Sequence, residues 1–291
     1  MSRIAIIGGA GKMGRWLAGF LTGEGKPVSI AGRRPEKLRE VQARLPVEVA
    51  SSAEAVRQAD IVVVSVPPDS FEEVIREIAP HTRAGQTVVD ITSVKSRPVA
   101  IMHRYIKEAL VLGAHPLFGP GAAGLKGQNV VLTPTTEPET ARANEFKGYL
   151  EARGAKVTLM TPEAHDEIMA IVLGLSHFIG VVTADTLLSS GKLAEAEALG
   201  GTTFKLLLTL ARSVISEDPE LYASLQTALP AAGIEQRFLT KAGELAGLVG
   251  RGDSAGFARR MAALQKGFDR DALAGAYRKM NRISEILSEA E

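Results

Sequence analysis

The segment Arg3-Ile4-Ala5-Ile6-Ile7 runs straight into Gly9-Ala10-Gly11-Lys12-Met13-Gly14, and this junction constrains the fold more than any other part of the chain. The β-branched run reads as a short buried strand, and the G-x-G-x-x-G after it reads as the turn into a helix over Arg15 to Thr22. In that setting Gly9 makes the tight turn, Gly11 lets the backbone approach a pyrophosphate, and Gly14 lets the helix pack close to the sheet. The helix N-terminus points free N–H groups at the phosphates. Gly9, Gly11, Lys12, Met13 and Gly14 are therefore expected to bind a dinucleotide, with a ligand-free glycine turn as the bland alternative.

The second strand bears on which dinucleotide. Val28-Ser29-Ile30-Ala31 is followed by Gly32-Arg33-Arg34-Pro35, where an NAD site would present Asp or Glu to the ribose hydroxyl. No carboxylate stands there, and the donor forks of Arg33 and Arg34 suit a 2′-phosphate, which favours NADP over NAD. The alternative is a solvated basic pair opening a helix over Glu36 to Leu45, satisfied by Glu36 and Glu40.

Composition narrows the function classes. The 34 basic and 33 acidic residues nearly cancel, so the chain has no concentrated basic face for nucleic acid. With no cysteine, a disulfide framework, a thiolate metal site and a cysteine nucleophile are excluded. The first strand begins at once, which leaves no room for a signal peptide. Ile168 to Leu188 is apolar but holds Ser176, His177, Thr183 and Asp185, and reads as a buried helix rather than a membrane span. These readings lead to a soluble cytoplasmic enzyme.

The first half alternates short apolar runs with helical patterns, as in a doubly wound α/β sheet of Rossmann type with parallel strands. Strands are expected at Arg3–Ile7, Val28–Ala31, Val47–Ala50, Ile61–Val66, Thr87–Ile91, Val111–Ala114, Asn129–Thr133 and Lys156–Met160. From Pro162 onward the apolar spacing is helical, broken at Gly191, Gly200-Gly201, Asp218-Pro219, Pro230 and Gly250 to Gly252. The expected domains are thus a dinucleotide-binding domain over 1–161 and an all-helical domain of five or six helices over 162–291. Its Ala- and Leu-rich helices suit burial against a twin subunit, so a homodimer is expected.

Ligands of such a sheet bind beyond the carboxyl ends of its strands, and three polar segments lie there. Val64-Ser65-Val66-Pro67-Pro68 carries prolines expected to leave a loop over the nucleotide, placing Ser65, Val66 and Pro67 at the cofactor. Asp90-Ile91-Thr92-Ser93-Val94-Lys95 offers hydroxyls and an amine. Gly113-Ala114-His115-Pro116-Leu117-Phe118-Gly119-Pro120-Gly121 puts a histidine at a strand end before a Pro/Gly loop.

Taken in order, Gly-Gly-x-Gly-Lys-Met-Gly, the Thr92-Ser-Val-Lys95 loop, His115-Pro-Leu-Phe-Gly-Pro, His165-Asp166 and Ser176-His177-Phe178 resemble the prephenate and arogenate dehydrogenase family of tyrosine biosynthesis, over nearly the whole chain. The resemblance implies oxidative decarboxylation of prephenate to 4-hydroxyphenylpyruvate, with hydride passing to NAD(P). It implies that His115 takes the substrate hydroxyl's proton or hydrogen bond and that Ser93 helps fix His115; Ser93 also reads as a helix N-cap. The family uses an arginine ahead of an Asp-Pro pair for the substrate's carboxylates. Here that is Arg212 before Asp218-Pro219, about one residue off register, with Arg237 in reserve and Lys95 as a further cation. His177 reads either as a substrate contact or as a hydrogen-bonded core histidine. A second family histidine one turn on is replaced by Gly180, and His165 reads as structural.

Arogenate dehydrogenase is the nearest alternative. Another NADP-linked reductase of the same plan, such as a pyrroline-carboxylate or deazaflavin-type enzyme, has no need of His115-Pro116. A non-enzymatic NADP sensor would lose the polar strand-end loops. No appended regulatory module is expected, so any feedback by tyrosine would act at the active site.

Overall fold

The computed structural model describes residues 2–289 and separates into two compact units, Met1–Met169 and Ala170–Glu291. The first is built on eight strands: β1 (Ile4–Ile7), β2 (Val28–Ala31), β3 (Glu48–Val49), β4 (Ile61–Val64), β5 (Thr87–Asp90), β6 (Leu110–Pro116), β7 (Asn129–Thr133) and β8 (Lys156–Leu159). Their order across the sheet is β3-β2-β1-β4-β5-β6-β7-β8. All eight expected strands are present. Six are parallel, but β7 runs antiparallel to β6, which corrects the all-parallel expectation. The cause is local: a loop rather than a crossover helix joins β6 to β7, and a reversal without a crossover gives an antiparallel pair.

Seven helices accompany the sheet: α1 (Lys12–Gly23), α2 (Pro35–Gln42), α3 (Ser52–Gln58), α4 (Pro68–Ile78), α5 (Ser96–Tyr105), α6 (Glu137–Glu151) and α7 (Pro162–Met169). Strand alternation sends Ile4, Ile6, Val63, Val89 and Leu112 to one face, where Ala18 and Leu21 of α1, Leu38 and Val41 of α2 and Ala143 of α6 cover them. Ala5, Ile7, Val62, Val64 and Val88 face the other way, against Val56 of α3, Phe71 and Ile75 of α4 and Met102 of α5. Both faces are buried, which is why the strands read as continuous apolar runs.

The register aligns the carboxyl ends. Ile7 pairs with Ala31 and Val64, Val64 with Asp90, and Asp90 with Gly113. The strand order reverses between β1 and its neighbours β2 and β4, the place where such sheets bind ligands.

The second unit is helical, as expected. After a π-helical turn at Ala170–Leu175 it contains α8 (Ser176–Ser189), α9 (Leu193–Leu199), α10 (Thr202–Ile215), α11 (Pro219–Ala228), α12 (Ala232–Gly250), α13 (Ser254–Gln265) and α14 (Arg270–Glu289). There are more helices than expected because a turn at 266–269, where no break was expected, separates α13 from α14. The helical stretch Pro162–Ser189 is long and apolar enough to cross a membrane by length and composition, yet only 28% of its apolar window is buried. Ile168, Ile171, Val172, Val181 and Leu188 are exposed, so the expectation of a buried helix is corrected for the single chain.

Candidate active site

The glycine turn is shaped by close approach. Gly8 has φ +87°, and a Cβ there would lie 2.1 Å from the Ser65 carbonyl oxygen, so it is as constrained as the fingerprint residues although the motif does not contain it. A Cβ at Gly9 would meet Cβ of Ile30 at 2.6 Å, and one at Gly14 would meet the Gly8 carbonyl oxygen at 2.4 Å. Helix α1 starts at Lys12 behind Gly11 with no side-chain cap. A cradle from which side chains are excluded, facing an uncapped helix N-terminus, fits a pyrophosphate.

Arg33 and Arg34 are exposed beyond the end of β2. Arg34 is the N-cap of α2 and supplies no cap bond, and among the described residues neither arginine is paired with Glu36 or Glu40. Ser65 and Val66 are half-buried after β4 and Pro67 is exposed. The expected proline loop is not there: Pro67 is the N-cap of α4 and Pro68 its first residue. Proline suits a first helical turn, where its missing N–H is no loss.

The polar centre lies between the ends of β5 and β6. Asp90 closes β5, and its Oδ1 accepts the amide N–H of Thr92 at 2.7 Å. Lys95 turns back over the strand end so that its Nζ donates to Asp90 Oδ2 and to the carbonyl of Ala114, the latter at 2.8 Å. Both charged side chains are 0% exposed. Gly113 makes room for this lysine, since a Cβ there would lie 3.1 Å from its Cδ and 2.2 Å from Thr133 Oγ1. Lys95 is thus committed internally, which corrects its reading as a substrate cation.

His115 is the penultimate residue of β6, at the strand end as expected, and is paired with Val131 of the antiparallel neighbour. Pairing with β7 carries β6 past the end of β5, and His115 sits in that extension, 5% exposed. Its Nδ1 lies 2.9 Å from Nε2 of His165, whose Nδ1 lies 2.8 Å from Asp166 Oδ1. Asp166 in turn accepts the backbone N–H groups of Lys95 and Ser96, each at 2.8 Å. These bonds tie α7 to the sheet, and the first compact unit runs to Met169. Ser93 is half-buried on the same loop; it is not the N-cap, because α5 begins at Ser96 behind Lys95. His165, Asp166 and Asp90 were missed as site residues, and the one available signal was the adjacent His-Asp pair.

Burial drives the electrostatics. It pushes the His115 pKa well below 6.5, helped by the charges of Lys95 and His165 and opposed by Asp166. Burial likewise lowers Lys95 against the pull of Asp90 and Asp166. For Asp166 burial acts upward, but the hydrogen bonds from His165, Ser96 and the Lys95 amide outweigh it and lower the pKa. His115 is therefore a neutral imidazole at neutral pH beside a carboxylate that stays ionised.

The remaining expected residues are in the helical unit. Arg212 is in the last turn of α10, where the buried positions are Ala211 and Val214, and it pairs with Glu197. Arg237 is exposed on α12. The ring of His177 on α8 lies 4.6 Å from that of Tyr222, and its buried Nδ1 has no hydrogen-bond partner. This differs from the hydrogen-bonded core histidine that was one of its two readings. Burial lowers its pKa.

Two family models match the chain: prephenate dehydrogenase, nucleotide-binding domain, over residues 17–159, and prephenate dehydrogenase, dimerization domain, over residues 161–263. A probable arogenate/prephenate dehydrogenase of Methanocaldococcus jannaschii is 36% identical, the match covering 99% of this chain and 66% of that protein. The T-protein of Haemophilus influenzae is 30% identical over 77% of this chain and 55% of its own length. The chain thus spans about half to two thirds of these relatives. In fold it is similar to the crystal structure of prephenate dehydrogenase from A. aeolicus in complex with hydroxyphenyl propionate and NAD+, with a TM-score of 0.76 and 23% identity over 92% of this chain and 97% of that one.

Proposed function

The chain belongs to the prephenate dehydrogenase family, and from that premise we propose that it oxidises and decarboxylates prephenate to 4-hydroxyphenylpyruvate, with arogenate as the alternative substrate. The observation that carries this reading is His115, a buried neutral imidazole near the end of β6, where that strand runs past the end of β5. The residues of the glycine turn would hold the pyrophosphate of a nicotinamide dinucleotide, which would supply the hydride acceptor for the carbinol carbon. His115 takes the hydroxyl proton as that hydride leaves, then returns it to the ring oxygen as carbon dioxide departs and the ring becomes aromatic. An imidazole already in its neutral form can take this proton, and general-base catalysis contributes about a hundred- to ten-thousand-fold. Ser93, on the adjoining loop, is proposed to orient the reacting groups.

NADP is the proposed coenzyme, because Arg33 and Arg34 are exposed where no carboxylate is offered to a ribose hydroxyl. Gly9, Gly11, Lys12, Met13 and Gly14 would hold the pyrophosphate, with Ser65, Val66 and Pro67 alongside. The substrate's carboxylates are assigned to the helical domain, to Arg212 ahead of Arg237, with His177 as a further contact; Lys95 is withdrawn. A cytoplasmic homodimer completes the proposal, supported by the dimerization-domain match and by the uncovered apolar side chains of Pro162–Ser189. The test is an absorbance assay at the reduced-nicotinamide band, with prephenate and arogenate each offered with NADP and NAD. Absence of turnover in all four combinations, or full turnover by His115→Asn, would overturn the proposal.

A further inference from the structure

His165 and Asp166 take no part in the reaction as written, yet they are among the most enclosed polar side chains of the sheet domain, 0% and 6% exposed. The bonding directions along this chain follow from the carboxylate at one end and a single proton on each ring. An ionised carboxylate can only accept, so His165 Nδ1, 2.8 Å from Asp166 Oδ1, carries a proton. We take His165 as the neutral imidazole, whose one ring proton is then used at Nδ1, so that its Nε2 is a lone pair. His115 Nδ1, 2.9 Å from that lone pair, must then donate. The single proton of neutral His115 is thereby assigned to Nδ1, and its Nε2, to which no described residue hydrogen bonds, is left basic.

We propose that Asp166 and His165 are positioning residues that hold His115 in its Nδ1-protonated tautomer and so make Nε2 the proton acceptor. The inference deepens the dehydrogenase reading and rests on it only for what Nε2 then receives. Asp166 is itself held by two backbone donors, Lys95 and Ser96, on the loop that leads out of β5. The tautomer of a β6 residue is thus referred, through α7, to the backbone of the neighbouring strand end. When His115 gains the substrate proton, its Nδ1–H still points along a dipole that ends on a carboxylate, which stabilises the imidazolium. The charged and titratable groups that act on His115 are Lys95 from the loop after β5, itself closed on Asp90, and His165 and Asp166 from α7. The Asp90–Lys95 pair is closed on itself, which leaves Asp166 as the carboxylate that terminates the chain.

The test combines kinetics with a direct reading of the tautomer. In coenzyme-bound wild-type protein labelled with nitrogen-15, the His115 ring should show a protonated Nδ1 and an unprotonated Nε2. An Nε2-protonated His115 would overturn the inference whatever the activity. His165→Phe should lower kcat by about a hundredfold or more, within the range of lost general-base catalysis, with KM and coenzyme affinity changed less than about threefold. His165→Gln places a carbonyl oxygen where Nε2 was and should recover much of the rate, whereas His165→Asn replaces only the bond to Asp166 and should not. Equal losses for Phe, Asn and Gln with the tautomer unchanged would reduce the pair to a packing tie between α7 and the sheet and end the proposal, as would normal kcat in His165→Phe. If wild-type protein turns over neither substrate, the dehydrogenase reading fails while the nitrogen spectrum still decides the relay.

Discussion

Neutralising Asp90 is the perturbation whose cost can be worked most directly. The Asp90 and Lys95 side chains are wholly enclosed, and the lysine's other acceptor is the Ala114 carbonyl. Asp90→Asn keeps the shape and the acceptor for Thr92 N–H but turns an amide NH2 toward a buried ammonium. Removing one partner of a buried pair costs about 3–5 kcal/mol, because the remaining charge is stranded without solvent. For a domain of this size each kcal/mol shifts Tm by about 2–4 °C, so a fall of about 6–20 °C is expected in calorimetry or near-ultraviolet circular dichroism. Adding Lys95→Met removes the stranded charge at nearly constant volume, and the double variant should regain most of the loss. If Asp90→Asn melts within about 2 °C of wild type, the pair does not carry the charges assigned to it. If the double variant is no better than the single, the cost is one of shape and the electrostatic reasoning is refuted.

Acid should weaken both stability and activity. His115 has a folded pKa well below 6.5, so the unfolded chain binds its proton first, and stability should fall as pH drops through 6.5 toward the folded value. Asp166, whose folded pKa is also depressed, contributes stability above 3.8 that is lost as pH falls through its folded pKa; chemical denaturation across pH 3–7 checks both. The acid limb of kcat/KM should lie below pH 6.5, and a limb above it would contradict the enclosed neutral base. Replacing Arg33 and Arg34 together by Ser should weaken NADP binding while leaving NAD nearly unchanged, and titration showing equal loss would remove them from 2′-phosphate recognition. Gly14→Ala should cost about 1–3 kcal/mol by overpacking and weaken coenzyme binding, because the added methyl meets the Gly8 carbonyl oxygen at 2.4 Å. Arg212→Ala should raise KM for the substrate more than tenfold, with coenzyme affinity untouched; a defect confined to Arg237→Ala would move the assignment to α12.

What was legible in the sequence follows from what is local. The strands β1, β2, β4 and β5 are apolar runs rich in β-branched residues and buried on both faces, so burial marks them, and the glycine turn is specified by approaches of under 3 Å that only glycine allows at Gly9 and Gly14. The reversal at β7 was not legible, because strand direction depends on how the chain crosses after Pro116 and no single residue encodes it. Nor was the start of α4: Pro67-Pro68 punctuates a strand end equally well before a loop or as the first turn of a helix. The exposure of Pro162–Ser189 was misread because apolar periodicity shows that a face needs cover, not which chain supplies it.

The site was legible as three strand-end segments but not as a network, since the partner of His115 lies 50 residues away on α7. One further consequence joins the sequence to the helical domain. At Gly180, where the resembled family often has a second histidine, a Cβ would meet Val214 of α10 at 2.7 Å. A larger residue there would have to push α10 outward, and Arg212 lies on that helix two positions before Val214. The absence of that histidine and the placement of Arg212 are therefore linked: close packing of α8 on α10 at Gly180 also sets the position of the helix that carries Arg212. Gly180→His should disturb Arg212 as well as α8, so restoring the family residue alone should raise KM rather than lower it. A lowered KM in that variant would show that the two positions are independent.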